Sequence, residues 1–216
     1  MRIDNVAWDV TPAIIKRFLP EKTLARDHPQ PIHILLDRFD GRTKDYMYIE
    51  AASPEAARKI LQTRQNNYMS GGPIDNRRKR PVTISLVSHD ELTAELRPTS
   101  AQELYGLLAL CQAAVCMPGA VSKSISFAAP NGRARFVKWR YGPFNALMSI
   151  MSKLKGKQSP AYWDVFQVAS GAIAALATSK FPSSSISGSQ TQVQDEIIMR
   201  KLSNLFKANF GMQPAV

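Results

Sequence analysis

The sequence predicts an α+β protein with an N-terminal antiparallel sheet and a helix-rich second half. Up to about residue 98, short strand-like segments alternate with helical ones. Turn signals separate these segments, notably Asp40-Gly41 and Gly71-Gly72-Pro73. Beyond that point, stretches with a helical apolar period predominate and flank one predicted hairpin.

The first four strands and two helices follow the order βαββαβ. Strands are predicted at 2–6, 32–36, 44–50 and 82–87, and helices at 12–18 and from 53 onward. Thr11-Pro12 and Ser53-Pro54 each place a capping residue before a proline at the first helical position. This order predicts a split-βαβ (ferredoxin-like) sandwich over residues 1–98, with two helices on one sheet face and the other face open. Residues 88–96 are predicted to be a short polar segment or helix that leaves the sheet.

Residues 99–182 are predicted to form a helix-hairpin-helix region. The hairpin would join residues 121–127 and 134–139 across Asn131-Gly132. Two interpretations stay open, a degenerate second split-βαβ unit or an α-rich extension. A Ser-rich linker is expected at 183–192. The final segment, 193–216, contains an amphipathic helix that we expect to fold back on its own domain.

The charge is strongly basic and uneven. Residues 1–98 carry 16 Lys and Arg against 13 Asp and Glu, whereas residues 99–216 carry 12 against 4. The net charges are therefore +3 and +8, out of +11 for the chain. An excess of this kind favours polyanionic partners without selecting a sequence.

The sequence predicts an intracellular protein of the nucleus or cytoplasm. It shows no long apolar run and no secretory signal, so no membrane association is expected. Cys111 and Cys116 lie in one predicted helix and are interpreted as core thiols. Phosphate-binding loops, nucleophile elbows and metal-ligand spacings are not apparent. We therefore predict a protein that is not an enzyme and needs no cofactor or metal.

The third predicted strand carries the clearest candidate site. Alternation places Lys44, Tyr46 and Tyr48 on one face and Met47 and Ile49 on the other. Aromatic rings stack on unpaired bases, and a neighbouring cation meets phosphate. Two tyrosines on a strand are also ordinary sheet residues, because tyrosine favours strands.

Residues 1–90 resemble an RNA recognition motif (RRM), in particular the divergent RRMs of uncharacterised fungal RNA-binding proteins. The octamer Lys44–Ala51 fits the third-strand motif at its cation, at both of its first two aromatic positions and at the following aliphatic position. The octamer lacks the two glycines and the last aromatic residue of that motif. The hexamer Met1–Val6 keeps Asn5 of the first-strand motif but has Arg2 where a stacking ring is usual.

The resemblance implies a non-catalytic protein that binds single-stranded RNA and acts in post-transcriptional regulation. The guanidinium of Arg2 can replace the missing ring in part. The predicted RNA-binding residues lie on the sheet or in neighbouring basic loops: Arg2, Asp4, Asn5, Arg42, Lys44, Tyr46, Tyr48, Arg77, Arg78, Lys79 and Arg80. A secondary basic surface is predicted on the hairpin, at Arg133, Arg135, Lys138 and Arg140.

A different function class competes with RNA binding. Degenerate RRMs also serve as protein-interaction modules or scaffolds, and the absence of a ring at Arg2 favours that alternative. The partner would then be a protein bound through the helices or the C-terminal helix. Coverage of the open sheet face by residues 88–100 or 193–210 would favour a scaffold or an autoinhibited binder.

Overall fold

The computed structural model describes residues 1–74, 77–117, 127–128, 134–178 and 186–211. Within them, the chain is a mixed α+β protein that divides into two compact units. Unit 1 comprises Met1–Asp37 and Thr43–Arg97, and unit 2 comprises Arg38–Arg42 and Pro98–Val216. The division after Arg97 falls one residue before the predicted boundary. The turn between the second and third strands belongs to unit 2.

Unit 1 contains a four-stranded antiparallel sheet and a separate two-stranded ribbon. Its elements are β1 (Arg2–Asp4), α1 (Pro12–Phe18), β2 (Ile32–Leu36), β3 (Thr43–Ile49), α2 (Pro54–Arg64), β4 (Tyr68–Ser70), β5 (Lys79–Pro81), β6 (Thr83–Ser85) and α3 (His89–Leu96). The sheet has the strand order β2-β3-β1-β6, and β4 pairs with β5. All four strands expected from the sequence are present, whereas the ribbon was not predicted.

One face of the sheet packs against α1 and α2. Ile3, Met47 and Ile84 lie on adjacent strands and are buried in this core. Ile15 of α1 and Ile60 of α2 complete it, and both are fully buried. Burying an aliphatic side chain of this size stabilises a fold by about 1.5–3 kcal/mol. The core therefore holds both helices on this side of the sheet.

The opposite face is not open, which corrects the sequence-based prediction. Leu92 and Leu96 of α3 pack against Leu35 and Tyr48 in a second buried cluster. The segment 88–96 is therefore a helix that lies on the sheet rather than one that leaves it. The physical reason is that Leu35 and Tyr48 present apolar surface, which a helix with two leucines one turn apart removes from water.

Unit 2 is predominantly helical. Its elements are α4 (Ala101–Val115), β7 (Phe127–Ala128), β8 (Ala134–Arg135), α5 (Gly142–Ser152), a short 3-10 helix (Gly156–Gln158), α6 (Tyr162–Thr178) and α7 (Ile186–Phe210). Helix α5 is buried along most of its length, and α4, α6 and α7 pack around it. Within the described residues, β7 and β8 are the only strands of this unit. This favours the α-rich alternative for the second half.

Two predicted segments of unit 2 differ in the structure. The hairpin is short, with Phe127 opposite Arg135, and its predicted Asn131-Gly132 turn lies outside the described residues. Helix α7 begins at Ile186, so residues 186–192 of the predicted linker are helical. Extending an existing helix adds one hydrogen bond per residue without a new nucleation step, which accounts for the longer helix.

The prediction that both cysteines are core thiols is wrong. Cys111 is buried, and burial raises the pKa of its thiol, whereas Cys116 is exposed at the end of α4. Five residues turn a helix by about 140°, so the two side chains cannot share one face.

A buried ion pair fixes α7 within unit 2. Arg140 is fully buried and makes a two-point contact with the Asp195 carboxylate, at 3.2 Å from Nε and 2.9 Å from Nη2. Its Nη1 donates to the backbone carbonyls of Ala114, Val115 and Met117 at the end of α4. The guanidinium thus ties α4 and α7 together. Helix α7 also packs on α5 and α6, as expected for a helix that folds back.

We predict that Arg140→Ala destabilises unit 2 by about 3–5 kcal/mol, because it removes the cation paired with the buried Asp195 carboxylate and the donor shared by three backbone carbonyls. Urea unfolding followed by circular dichroism measures the change. Arg200→Ala on the same helix, at an exposed position, is the matched control and should change stability by less than about 0.5 kcal/mol. Equal effects of the two variants would contradict the role given to Arg140.

Candidate nucleic-acid interface

The sheet register brings the predicted first-strand and third-strand residues together. Arg2 lies opposite Tyr48, and Asp4 lies opposite Tyr46. The Arg2 guanidinium lies 4.2 Å from the centre of the Tyr46 ring, and its Nη2 is 2.8 Å from Oδ1 of Asp4. Arg2 and Asp4 therefore form an ion pair over the Tyr46 ring, and each side chain is about one-third exposed.

Glu95 of α3 occupies the polar end of this face. Lys44 Nζ lies 2.7 Å from Oε1 of Glu95, and the Tyr46 hydroxyl donates to the same oxygen at 3.0 Å. Lys44 also donates to the Tyr46 hydroxyl at 3.1 Å. Burial alone would lower the pKa of Lys44, but its bonds to Glu95 and Tyr46 outweigh burial and raise that pKa. The cation expected to meet phosphate is thus held by a carboxylate.

Tyr48 is covered by α3 and is only 1% exposed. Leu92 and Leu96 pack in the same cluster, and the phenol donates to Oε1 of Glu91 at 3.2 Å. Burial raises the Tyr48 pKa to about 12, with further contributions from the charges of Glu95 and Glu91. With α3 in place, the Tyr48 ring is inaccessible to a base, whereas Tyr46 is half-buried.

Two other predicted residues are engaged elsewhere. Asn5 adopts a left-handed backbone conformation (φ 63°), which asparagine tolerates better than most residues, and its amide donates to the Pro81 carbonyl at 2.8 Å. Arg42 belongs to unit 2, where its guanidinium lies over the Phe136 ring at 4.1 Å and near the Asp40 carboxylate. Arg42 is thus assigned to a different unit from Tyr46 and Tyr48.

The basic stretch Arg77–Arg80 leads into the ribbon. Lys79 and Arg80 are residues of β5, and Met69 opposite Arg80 is buried in the core beneath α1 and α2. Tyr46 and Tyr48 belong to the cluster on the other sheet face. The predicted RNA-binding residues thus separate into a sheet-face group and a ribbon group.

The predicted secondary surface on the hairpin is only partly described. Arg133 lies outside the described residues, and of Arg135 only the backbone in β8 is described. Lys138 is half-buried. Arg140 is fully buried, which corrects its assignment to a surface, because its guanidinium bonds to the Asp195 carboxylate and to backbone carbonyls of unit 2.

Sequence reasoning missed the residues of α3 that cover the sheet. Leu92 and Leu96 are four residues apart, as are Glu91 and Glu95, so each pair lies on one side of a helix. This spacing indicates an amphipathic helix but not the surface that it covers. Elsewhere on the sheet, Nε2 of the buried His33 lies 2.8 Å from Oε1 of Glu50.

Within the described residues, no cluster of His, Cys, Asp and Glu is arranged to hold a metal ion. Among the helices of that same part of the chain, none combines the length and apolar character needed to cross a membrane.

Comparison with known proteins gives one family match. Residues 1–104 are similar to a domain of unknown function, DUF8400. The matched region spans all of unit 1, α3 included, and ends early in α4. Neither the curated proteins nor the solved structures gave a match.

We predict that Tyr48 ionises near pH 12 rather than near pH 10. The folded protein then holds this proton more tightly than the unfolded chain. The contribution of Tyr48 to stability is full below about pH 10 and is lost as the pH rises through about 12. The difference in tyrosinate absorbance between wild type and Tyr48→Phe measures the midpoint. In concentrated urea the midpoint should return to about 10, and a midpoint near 10 in the folded protein would contradict the burial of this phenol by α3.

Proposed function

We propose that unit 1 is a non-catalytic domain that binds single-stranded RNA on an RRM-like sheet, and that α3 caps this sheet in the free protein. The strand order β2-β3-β1-β6 supports the proposal, since it corresponds to that of a split-βαβ sandwich. The position of α1 and α2 on one face of the sheet also supports it. Tyr46 and Tyr48 then lie on the face that RRM proteins use for RNA.

The observation that carries the proposal is the chemistry of the α3 contact. Glu95 bonds to Lys44 and to the Tyr46 hydroxyl, and Glu91 accepts from the Tyr48 hydroxyl. Carboxylates thus stand beside the groups that would meet phosphates and base edges in a complex with RNA. Leu92 lies in the cluster of the Tyr48 ring, where a stacked base would lie.

Binding at this face requires α3 to leave the sheet. An RNA that binds only the uncapped form has an apparent affinity reduced by the fraction of molecules that are uncapped. Contacts of Leu92 and Leu96 resist that opening by roughly 1.5–3 kcal/mol each. The polar contacts of Glu91 and Glu95 are exchanged for water or RNA when the helix leaves, so they add less.

A second candidate function is a protein-interaction module or scaffold. The near-complete burial of Tyr48 and its apolar contacts with Leu92 and Leu96 favour it, because these are features of a permanently packed face. In that case α3 is an ordinary layer of the fold. Loosening it would then lower stability without creating an RNA site.

We predict that Leu92→Ser strengthens RNA binding by about tenfold or more, because it removes roughly 2 kcal/mol of apolar burial from the capped state. Fluorescence anisotropy with a short labelled single-stranded RNA measures the affinity of the full chain. Ala94→Ser, at an exposed position of the same helix, is the matched control and should bind as wild type.

The double variant Leu92→Ser/Tyr48→Ala separates the two functions. If the uncapped sheet binds RNA, removing the ring should weaken the Leu92→Ser protein by roughly 5- to 100-fold, the value of one base stack. If Leu92→Ser only lowers thermal stability and leaves RNA binding as in wild type, the sheet proposal fails and the scaffold function is favoured.

A further inference from the structure

A second candidate surface lies on the helix side of unit 1, away from α3. A groove of about 480 Å³ runs between α1 and the ribbon strand β4. The side chains that line it come from α1, the end of α2 and the segment 67–70: Ile14, Arg17, Phe18, Arg64, Asn67, Tyr68, Met69 and Ser70. Its lining combines the apolar side chains of Ile14, Phe18 and Met69 with two arginines. Among these described residues there is no acidic side chain.

The ribbon displays an aromatic ring beside cations. Tyr68 lies opposite Pro81, and Ser70 lies opposite Lys79, so all four project from one ribbon face. Met69 projects from the other face into the core. Tyr68 is 67% exposed, so most of its ring surface faces solvent. Lys79, its diagonal neighbour, is exposed as well.

Contacts that do not involve Tyr68, Arg17 or Lys79 hold the groove in place. The buried Asp9 carboxylate accepts from the backbone N–H of Gly72 at 2.8 Å and of Ile74 at 2.9 Å, which fixes the chain after β4. A side chain at Gly72 would clash with the Asp9 backbone. Arg64 Nε–H donates to the Phe18 carbonyl and so anchors the end of α1. The exposed Arg17 is left to face solvent at the rim.

We propose that this groove is a second binding site for single-stranded RNA, with one base stacked on Tyr68 and phosphates contacted by Arg17, Arg64 and Lys79. Stacking on an exposed ring and cations along a groove are the two elements of binding to an unpaired strand. The site is available while α3 covers the sheet. This proposal rests on the proposed function for its class of ligand, single-stranded RNA, but the groove uses different residues on a different face of unit 1.

An extended acidic peptide is the main competitor for the groove. The free edge of β4 would offer it backbone partners only from Tyr68 and Ser70, because the groups of Met69 point to β5 in this register. Pro81 opposite Tyr68 has no N–H, in agreement with that register. Such a short edge gives a peptide few hydrogen bonds, whereas the exposed ring is best used by a base.

The test uses the full chain and a short fluorescein-labelled single-stranded RNA of mixed sequence, with anisotropy measured at several KCl concentrations. Tyr68→Ala should bind roughly 5- to 100-fold more weakly with an unchanged salt slope, and Tyr68→Phe should bind as wild type. Arg17→Gln should lower the slope of log K against log salt by about 0.7. Arg26→Gln, at an exposed position outside the groove, is the charge-matched control.

Two further probes decide the ligand class. A duplex of the same RNA should not distinguish Tyr68→Ala from wild type, since its bases are already stacked. The proposal would be overturned if Tyr68→Ala bound the single strand with wild-type affinity. It would also be overturned if a polyglutamate peptide displaced the RNA equally well from the wild type and from Tyr68→Ala. RNA binding at the sheet is tested separately by Leu92→Ser and Leu92→Ser/Tyr48→Ala, so the proposal for either site can fail without the other.

Discussion

The packing of α3 on Tyr48 determines what unit 1 presents to its surroundings. Leu92 and Leu96 remove the ring from water, and Glu91 satisfies its hydroxyl. Without this contact, the sheet would display two tyrosines, Arg2 and Lys44 on one face. With it, the carboxylate of Glu95 neutralises Lys44 and little of the platform remains accessible. Whether this face binds a partner therefore depends on the stability of one eight-residue helix.

Charge is distributed differently on the two sides of unit 1. On the sheet face, Arg2 is paired with Asp4 and Lys44 with Glu95, so its cations are compensated. On the helix side, Arg17 and Arg64 line a groove without an acidic residue among its described lining. A positively charged lining of this kind attracts a polyanion. An RNA strand bound in the groove would raise the effective concentration of RNA near the capped sheet, because its second contact would form within one complex.

The sheet and its two helices could be predicted because their signals are local. The apolar run Ile32–Leu36, the Ser53-Pro54 cap and the alternation around Tyr46 each lie within a few residues of the element they define. The ribbon could not be predicted, since Tyr68–Ser70 and Lys79–Pro81 are three residues each and one contains a proline. Such short segments carry no reliable period.

Only part of the candidate site could be predicted, for a related reason. Alternation in β3 correctly separates Tyr46 and Tyr48 from Met47, but the surface that α3 covers depends on the path of the chain after β6. Arg140 illustrates the same limit, because a cation in a basic segment resembles a surface residue until its partner, Asp195, is located 55 positions later. Partners distant in sequence are set by tertiary packing, which composition and spacing do not encode.

Hydrogen–deuterium exchange of the full chain, with and without saturating single-stranded RNA, tests the capping of the sheet most directly. Backbone amides of α3, residues 89–96, report whether the helix stays on the sheet. If α3 is a cap displaced by RNA, these amides should exchange faster in the complex. Exchange in α3 that stays the same or slows when RNA is bound would contradict the account.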